Sequence, residues 1–362
     1  MRRVLELARM GWGRTNPNPL VGAVIVKDGR IIAEGFHQLL GCDHAEIEAF
    51  KNANEEVAGG KLYVNLEPCS HYGRTPPCAD AIVKAQIKEV VVAMEDPNPK
   101  VAGKGIEILR NAGIKVTLGV LEDEARKLNE IFIKYITNKI PFVIMKAAMT
   151  LDGKIATSAG DSKWISGNNS RQYVHNLRDR VAAIMVGVNT VISDNPSLTT
   201  RLENIEGRDP VRIIVDSQGR IPLDSKVVNL ESKADTIIAT TREINRDREK
   251  SLIDKGLRII KTESISGKVD LASLMEELYK MELDSVLLEG GGTLNAAALE
   301  AGIVDKVLIF VAPKIIGGES APTPVEGSGV KLMKDAITLR EINVSRYDND
   351  LLIEAYVGTG RE

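Results

Sequence analysis

EPCSHYGRTPPC, residues 67–78, holds two of the chain's three cysteines, one of its four histidines and three of its fourteen prolines. Helix and strand both reject such a density of proline, and a hydrophobic core has no use for the polar residues between. A segment of this kind can hold a metal, provided that a further ligand arrives from elsewhere. The upstream His44-Ala45-Glu46 supplies a candidate. KLYVNL (61–66) reads as a buried strand that delivers the segment at its C-terminal end, and ADAIVKAQ (79–86) as the helix that leaves it. Strand, loop and helix in this order are the unit of a layered α/β fold.

Working outward, Val4, Leu5, Ala8 and Trp12 lie at helical spacing, and Asn16-Pro17-Asn18-Pro19 ends that helix because each proline pushes its predecessor out of the helical region. LVGAVIVKDGRIIAEGFH (20–37) is two apolar runs joined at Asp28-Gly29, a hairpin signal. His44 opens a helix that turns Ile47 and Phe50 inward. Strand 89–94, the turn Asp96-Pro97-Asn98-Pro99, helix 105–112, strand 114–118 and one helix over 122–137 complete a three-layer α/β/α domain. Asn138-Lys139-Ile140-Pro141 marks a boundary, which divides the chain into residues 1–140 and 141–362. Beyond it the pattern predicts strands at 182–186, 211–215, 236–239, 258–260, 285–288, 305–311 and 350–357. Helices are predicted at 169–180, 249–255, 271–281 and 294–301. The result is a second α/β domain of different kind, with no internal repeat.

The 362 residues are 43% hydrophobic and 27% charged, the make-up of an ordinary globular chain with room for two or three cores. A net charge of −3 and 4% aromatics give no basis for binding bulk nucleic acid, an acidic membrane or single strands. No apolar run approaches the ~20 residues of a membrane span. Glu6 interrupts the apolar N-terminal stretch, so no signal peptide is expected. Three cysteines, two of them clustered with histidine, suit a reducing compartment and a metal or catalytic role; the expected location is the cytoplasm.

A catalytic zinc takes three protein ligands and keeps a position open for water. His44, Cys69 and Cys78 offer one nitrogen and two thiolates. Glu46, two residues after His44, is placed to take a proton from water and return it to a leaving amine. H-x-E followed by P-C is the order found in zinc deaminases. Their second half is P-C-x-x-C, whereas here eight residues separate the cysteines. Both cysteines still follow a proline (Pro68, Pro77), and Cys78 opens a helix whose dipole favours thiolate. Cys42 reads as a spectator, since a fourth ligand would close the site to water.

NPNPLVGAVIV, GFHQLLGCDHAEIEAF, YVNLEPCSHYGRTPPCADAI and AMEDPNPKVAGKGIEILRNAGI together resemble the deaminase domain of the bifunctional riboflavin-biosynthesis proteins of bacteria. The long loop between the cysteines is the part most particular to that family. The resemblance implies a cytidine-deaminase-like fold and hydrolytic removal of an amino group from a diaminopyrimidinone that carries a ribosylamino 5′-phosphate. It further implies that His44, Cys69 and Cys78 bind one zinc and that Glu46 is catalytic. Asn18, His37, His71 and Arg74 would contact substrate: the Asn amide suits a pyrimidinone edge, and a bidentate cation suits the phosphate. Taken alone, His37 reads equally well as a structural histidine, and Asp96 and Asn98 as turn residues.

The second half lacks the G-x-G-x-x-G fingerprint of dinucleotide-binding folds. Instead, residues 286–294 run from strand through Gly290-Gly291-Gly292 into a helix, a start whose amides can cradle a diphosphate. KAAMTLDGKIA, DSKWIS, RDRVAAIMVGVNTVISDNPSLTTR and VDSQGR resemble the family's reductase domain, a dihydrofolate-reductase-like fold that uses NADPH to reduce the ribosyl group to ribityl. By that resemblance Ser162, Arg178, Leu198, Arg201 and Glu289 contact substrate. Ala148, Trp164, Thr190, Asp194, Ser217, Gly291, Gly292, Thr293, Leu294, Asn295, Ala296 and Ala297 would line the cofactor. Asp152 and Lys154 are expected near the site, and Arg242 is a candidate reader of the cofactor's 2′-phosphate. Small phosphorylated pyrimidines and a second copy of the chain are the expected partners. The competing readings are a nucleoside or tRNA deaminase fused to an unrelated domain, and a structural zinc module with an inactive second half. Glu46 counts against the latter, because a structural site needs no free carboxylate.

Overall fold

The computed structural model describes residues 1–70, 76–99, 101–203 and 205–358. His71 and Arg74 lie outside the described residues. The chain divides into two compact units, Met1–Ile140 and Pro141–Glu362.

The first unit runs α1 (Arg2–Arg9), β1 (Gly22–Lys27), β2 (Arg30–Phe36), α2 (Ala45–Lys51), β3 (Lys61–Leu66), α3 (Cys78–Lys84), β4 (Glu89–Met94), α4 (Lys104–Asn111), β5 (Lys115–Leu118), α5 (Glu122–Leu128) and α6 (Glu130–Asn138). Its sheet has the order β2-β1-β3-β4-β5. β1 is antiparallel to both neighbours, while β3, β4 and β5 are parallel. The β1–β2 hairpin turns through Asp28 and Gly29, both at positive φ, the conformation that this dipeptide favours. In β4 every residue from Val90 to Met94 is buried, which requires cover on both faces of the sheet. Leu62, Val64, Ile82, Val90, Val92 and Leu109 share one core, and Leu5, Leu66, Ala93, Met94 and Ala125 another.

The single helix expected over 122–137 is broken at Asn129, which ends α5 and begins α6. The Asn129 side chain is buried, accepts from the Leu20 N–H at 2.8 Å and donates to the Leu20 carbonyl at 3.0 Å. Asn65 donates to the same carbonyl and accepts from the Gly22 N–H, both at 2.8 Å. Two amides from distant elements thus satisfy the chain where it enters β1, and this demand overrides the helical periodicity.

The second unit runs β6 (Phe142–Thr150), α7 (Asn168–Arg180), β7 (Ala183–Gly187), α8 (Val188–Asp194), β8 (Val211–Val215), α9 (Lys226–Asn229), β9 (Thr236–Thr241), α10 (Arg246–Asp254), β10 (Arg258–Thr262), β11 (Ser264–Ile265), β12 (Lys268–Val269), α11 (Leu271–Lys280), β13 (Ser285–Leu288), α12 (Gly292–Glu300), β14 (Lys306–Ala312), β15 (Leu339–Tyr347) and β16 (Asp350–Val357). Among the described residues its main sheet has the order β10-β9-β8-β7-β13-β6-β14-β16-β15. The first seven are parallel, and β16 pairs antiparallel with β14 on one side and β15 on the other. Several elements differ from expectation, among them the short α9, β11 and β12, which no pattern marked. α8 buries only Val188 and Val191, too few for a period. α10 begins earlier than residue 249 because the Asn245 side chain caps it, accepting from Asp247 N and Arg248 N. β15 is largely exposed, so burial left no apolar pattern across it.

Candidate functional site

The first unit places its polar chemistry where β3 ends. Cys69 follows Leu66 by three residues, Cys78 opens α3, and His44 is the N-cap of α2. The ligand atoms of His44, Cys69 and Cys78 lie within 4.8 Å of one another. His44 Nδ1 is 3.3 Å from Cys78 Sγ and 3.5 Å from Cys69 Sγ. A tetrahedral zinc with ordinary Zn–N and Zn–S lengths sets nitrogen and sulphur about 3.6 Å apart, so the donor set fits zinc. Cys42 is exposed and outside this cluster.

Glu46 lies in the first turn of α2 and is 3% exposed. Burial, with the charge of Cys69, pushes its carboxyl up to about 7, the range in which a group can both take and return protons near neutrality. The two cysteines share a hydrogen bond. Cys69 is pulled down to about 4 by that bond, with help from His44. Cys78 is pushed up by the same bond and by burial. His44 is raised, chiefly by its bond to Cys69.

Asn18 and His37 stand beside this cluster. The His37 ring meets that of His44 edge-on at 5.6 Å. His37 Nδ1 lies 3.0 Å from the Asp43 carbonyl and Nε2 lies 3.2 Å from Asn18 Nδ2. The carbonyl can only accept, so Nδ1 carries the proton and Nε2 accepts from Asn18. Burial lowers the His37 pKa, which favours this neutral form. Asp96 accepts from the Asn98 N–H at 2.8 Å, as a turn residue does.

In the second unit Glu289 follows β13, where β6 and β7 flank it. Arg178 on α7 binds its carboxylate in bidentate fashion, Nε to Oε1 at 2.7 Å and Nη2 to Oε2 at 3.0 Å. Lys146 of β6 approaches from the other side at 3.5 Å. Burial would push the Glu289 carboxyl up, but the charges of Arg178 and Lys146 outweigh it and hold it at about 2. Sequence reading passed over Lys146 because one lysine in an apolar strand has no local signature; an inward-facing cation in KAAM was the available sign. It also passed over His175, one turn before Arg178, whose Nδ1 accepts from the Arg201 N–H at 3.2 Å. Leu198 is buried at positive φ. Ser162 is half-buried.

A cleft of about 350 Å³ opens beyond the C-terminal ends of β7 and β8, the place where parallel sheets bind ligands. Thr190, Ser217, Gly291, Thr293, Leu294 and Ala297 line it. Gly291 is the extended N-cap of α12, and a Cβ there would meet nothing within 4 Å. The space in front of this helix start is thus free for an anion to approach the backbone amides. Arg220 and Lys268 bring positive charge to the cleft, Arg220 donating to Asn189 Oδ1 at 2.8 Å. Shape, amides and charge fit a dinucleotide phosphate.

The other expected cofactor residues are not among those that line this cleft. Gly292 packs against Glu326 and Thr323; Asn295 is buried and donates to the Pro324 carbonyl; Ala296 is buried. Asp194 and Trp164 are exposed, and Ala148 sits half-buried within β6. Arg242 does not line the cleft but pairs with exposed Glu263. Asp152 accepts from the Gly317 N–H at 2.7 Å and Lys154 donates to the Ala321 carbonyl at 3.1 Å, so both pin the 316–321 segment.

Comparisons with known proteins agree with this geometry. Residues 1–94 match the cytidine and deoxycytidylate deaminase zinc-binding region, and residues 141–353 match the RibD C-terminal domain. The chain is 45% identical to the riboflavin biosynthesis protein RibD of Actinobacillus pleuropneumoniae over 99% of its own length and 94% of that relative's. It is 44% identical to that of Aquifex aeolicus over 98% and 96%. A crystal structure from Thermotoga maritima, described as a diaminohydroxyphosphoribosylaminopyrimidine deaminase/5-amino-6-(5-phosphoribosylamino)uracil reductase, superposes with a TM-score of 0.86 at 42% identity, covering 99% of this chain and 97% of that one. Acinetobacter baumannii RibD superposes with a TM-score of 0.88 at 39% identity, over 99% and 98%. A zinc-type deaminase domain followed by an NADPH-type reductase domain, matched along nearly the whole length, means that the chain belongs to the RibD family of bifunctional riboflavin-biosynthesis enzymes.

Proposed function

We propose that residues 1–140 deaminate 2,5-diamino-6-(5-phosphoribosylamino)pyrimidin-4(3H)-one and that residues 141–362 reduce the ribosyl group of the product to ribityl. The observation that carries the reading is Glu46, buried in the first turn of α2 two residues after His44 and beside three zinc-spaced donors. His44, Cys69 and Cys78 hold the zinc. When bound, zinc makes a water nucleophilic near neutral pH. Glu46 takes the proton from water and delivers it to the departing amine nitrogen. Asn18 and His37 hold the pyrimidinone edge, and His71 and Arg74, from the loop between the cysteines, meet the phosphate.

In the second unit NADPH supplies the hydride. Gly291, Thr293, Leu294 and Ala297 at the start of α12 would hold its phosphates, in the cleft that they line with Thr190 and Ser217. Arg220 and Lys268 are the cations suited to the 2′-phosphate. Glu289, held by Arg178 and Lys146, faces the opened sugar, with Leu198 and Ser162 shaping the substrate side and Arg201 binding its phosphate. The chain works in the cytoplasm as a homo-oligomer; support for the latter comes from edge strand β15, where Ile342 is 63% and Val344 57% exposed.

The test supplies the diaminopyrimidinone phosphate with NADPH and follows ammonia and the NADPH absorbance together. Glu46→Gln is expected to keep its zinc and lose ammonia release by about 10²–10⁴-fold, while still oxidising NADPH when given deaminated substrate. Full ammonia release by that variant would sink the mechanism.

A further inference from the structure

Among the described residues of the first unit, the proposed zinc chemistry leaves the buried carboxylate of Glu67 unused. Glu67 stands two residues before Cys69 and is 3% exposed. Its Oε1 accepts from the N–H groups of Gly105 at 2.8 Å and Ile106 at 3.2 Å. Its Oε2 accepts from those of Gly103 at 2.9 Å and Asp96 at 3.1 Å. Three of the four donors belong to the start of α4, where free amides and the helix dipole both favour an anion. The fourth lies in the turn after β4. The Glu67 N–H itself donates to the Met94 carbonyl at 3.0 Å, so both ends of the residue are fixed.

We propose that Glu67 is a positioning residue for the metal centre, its carboxylate tying the Cys69 loop at once to the start of α4 and to the Asp96–Asn98 turn. The packing leaves that loop no slack. A Cβ on Gly105 would fall 2.0 Å from the Pro68 carbonyl oxygen and 3.2 Å from Glu67 Oε1, so α4 lies flush against the residue that joins Glu67 to Cys69. With Pro68 held on one side and the Cys78 N–H donating to Cys69 Sγ at 3.2 Å on the other, the sulphur has one position. A glutamine at 67 keeps the shape but trades an acceptor oxygen for an NH₂, and leaves two of the four amides unpaired. Residues that orient metal ligands in this indirect way typically change affinity or activity 10–100-fold when replaced.

The inference rests on the deaminase reading, and the full-length chain separates the two. Wild type must bind zinc and release ammonia; if it does neither, the deaminase reading and this proposal fall together. Given an active wild type, Glu67→Gln is expected to lower zinc affinity, read by chelator competition, and ammonia release by roughly 10–100-fold. The absorption bands of its cobalt-substituted form should shift. NADPH oxidation with deaminated substrate should stay at the wild-type rate. Unchanged zinc affinity and cobalt bands overturn the proposal alone, as does parallel loss of both activities, which would mark Glu67 as a folding residue. Should Glu67→Gln not accumulate as folded protein, Gly105→Ala makes the same test from the helix side, with the same expected loss and the same overturning result.

Discussion

At the scale of single residues, the second unit's chemistry depends on charges that only partners make tolerable. Glu289 is 10% exposed on its side chain and Arg178 13%, so each is a buried ion that needs the other. Arg178→Met leaves the carboxylate with Lys146 alone; the expected cost is about 3–5 kcal/mol in denaturant unfolding, together with loss of NADPH oxidation. The same cluster sets the acid response. Glu289 sits at about 2 in the folded chain, below the ~4.3 of an unfolded glutamate, so its stabilisation is present above that value and fades as pH falls toward 2. Burial first, then Arg178 and Arg201, lower His175 to about 4, against ~6.5 unfolded. Between those two values the unfolded chain binds a proton that the native chain refuses, so stability drops as pH falls through the window. Melting temperatures from pH 7 to pH 4 should decline, and less steeply in His175→Asn; an identical slope in that variant would show that His175 does not contribute.

At the scale of elements, a capping or bracing side chain decides where a helix begins or breaks. Asn245→Ala removes the cap of α10 and is expected to cost about 1 kcal/mol with ammonia release intact, since α10 belongs to the second unit. Asn129→Ala strips partners from the Leu20 N–H and shares out its carbonyl less well, at an expected cost of about 2 kcal/mol. That change acts close to Asn18, so ammonia release should fall with it. Equal effects of the two variants on ammonia release, measured at a temperature where both are folded, would count against this difference.

For the molecule as a whole, the sheet of the second unit ends in a strand whose outward apolar residues have no cover among the described residues. Edge strands of this kind invite pairing with another chain. A second copy placed there accounts for exposed Ile342 and Val344. Sedimentation of Ile342→Glu should give a smaller particle than wild type, because an unpaired charge would be buried in the contact. An unchanged sedimentation coefficient would move the contact elsewhere. No helix among the described residues is long and apolar enough to cross a membrane.

Local chemistry was legible in the chain itself. Asp28-Gly29 demands a turn at positive φ, the run 90–94 demands a strand buried on both faces, and H-x-E with two proline-led cysteines names the donor types of a zinc centre before any coordinates. These are properties of a residue and its near neighbours, and so they survive reading in one dimension. What tertiary structure alone decided is who meets whom. Asn129 breaks a periodic helix because Leu20, over a hundred residues away, needs its amide. Lys146 becomes significant only when Glu289 folds against it, and Arg242 pairs with Glu263 while Arg220 and Lys268 line the cleft. Glu67 opens the cysteine-bearing stretch with no role legible there, yet the four partners of its carboxylate all lie from Asp96 onward. Burying an ion or an amide is tolerable only with a partner, and the partner's distance along the chain is unbounded.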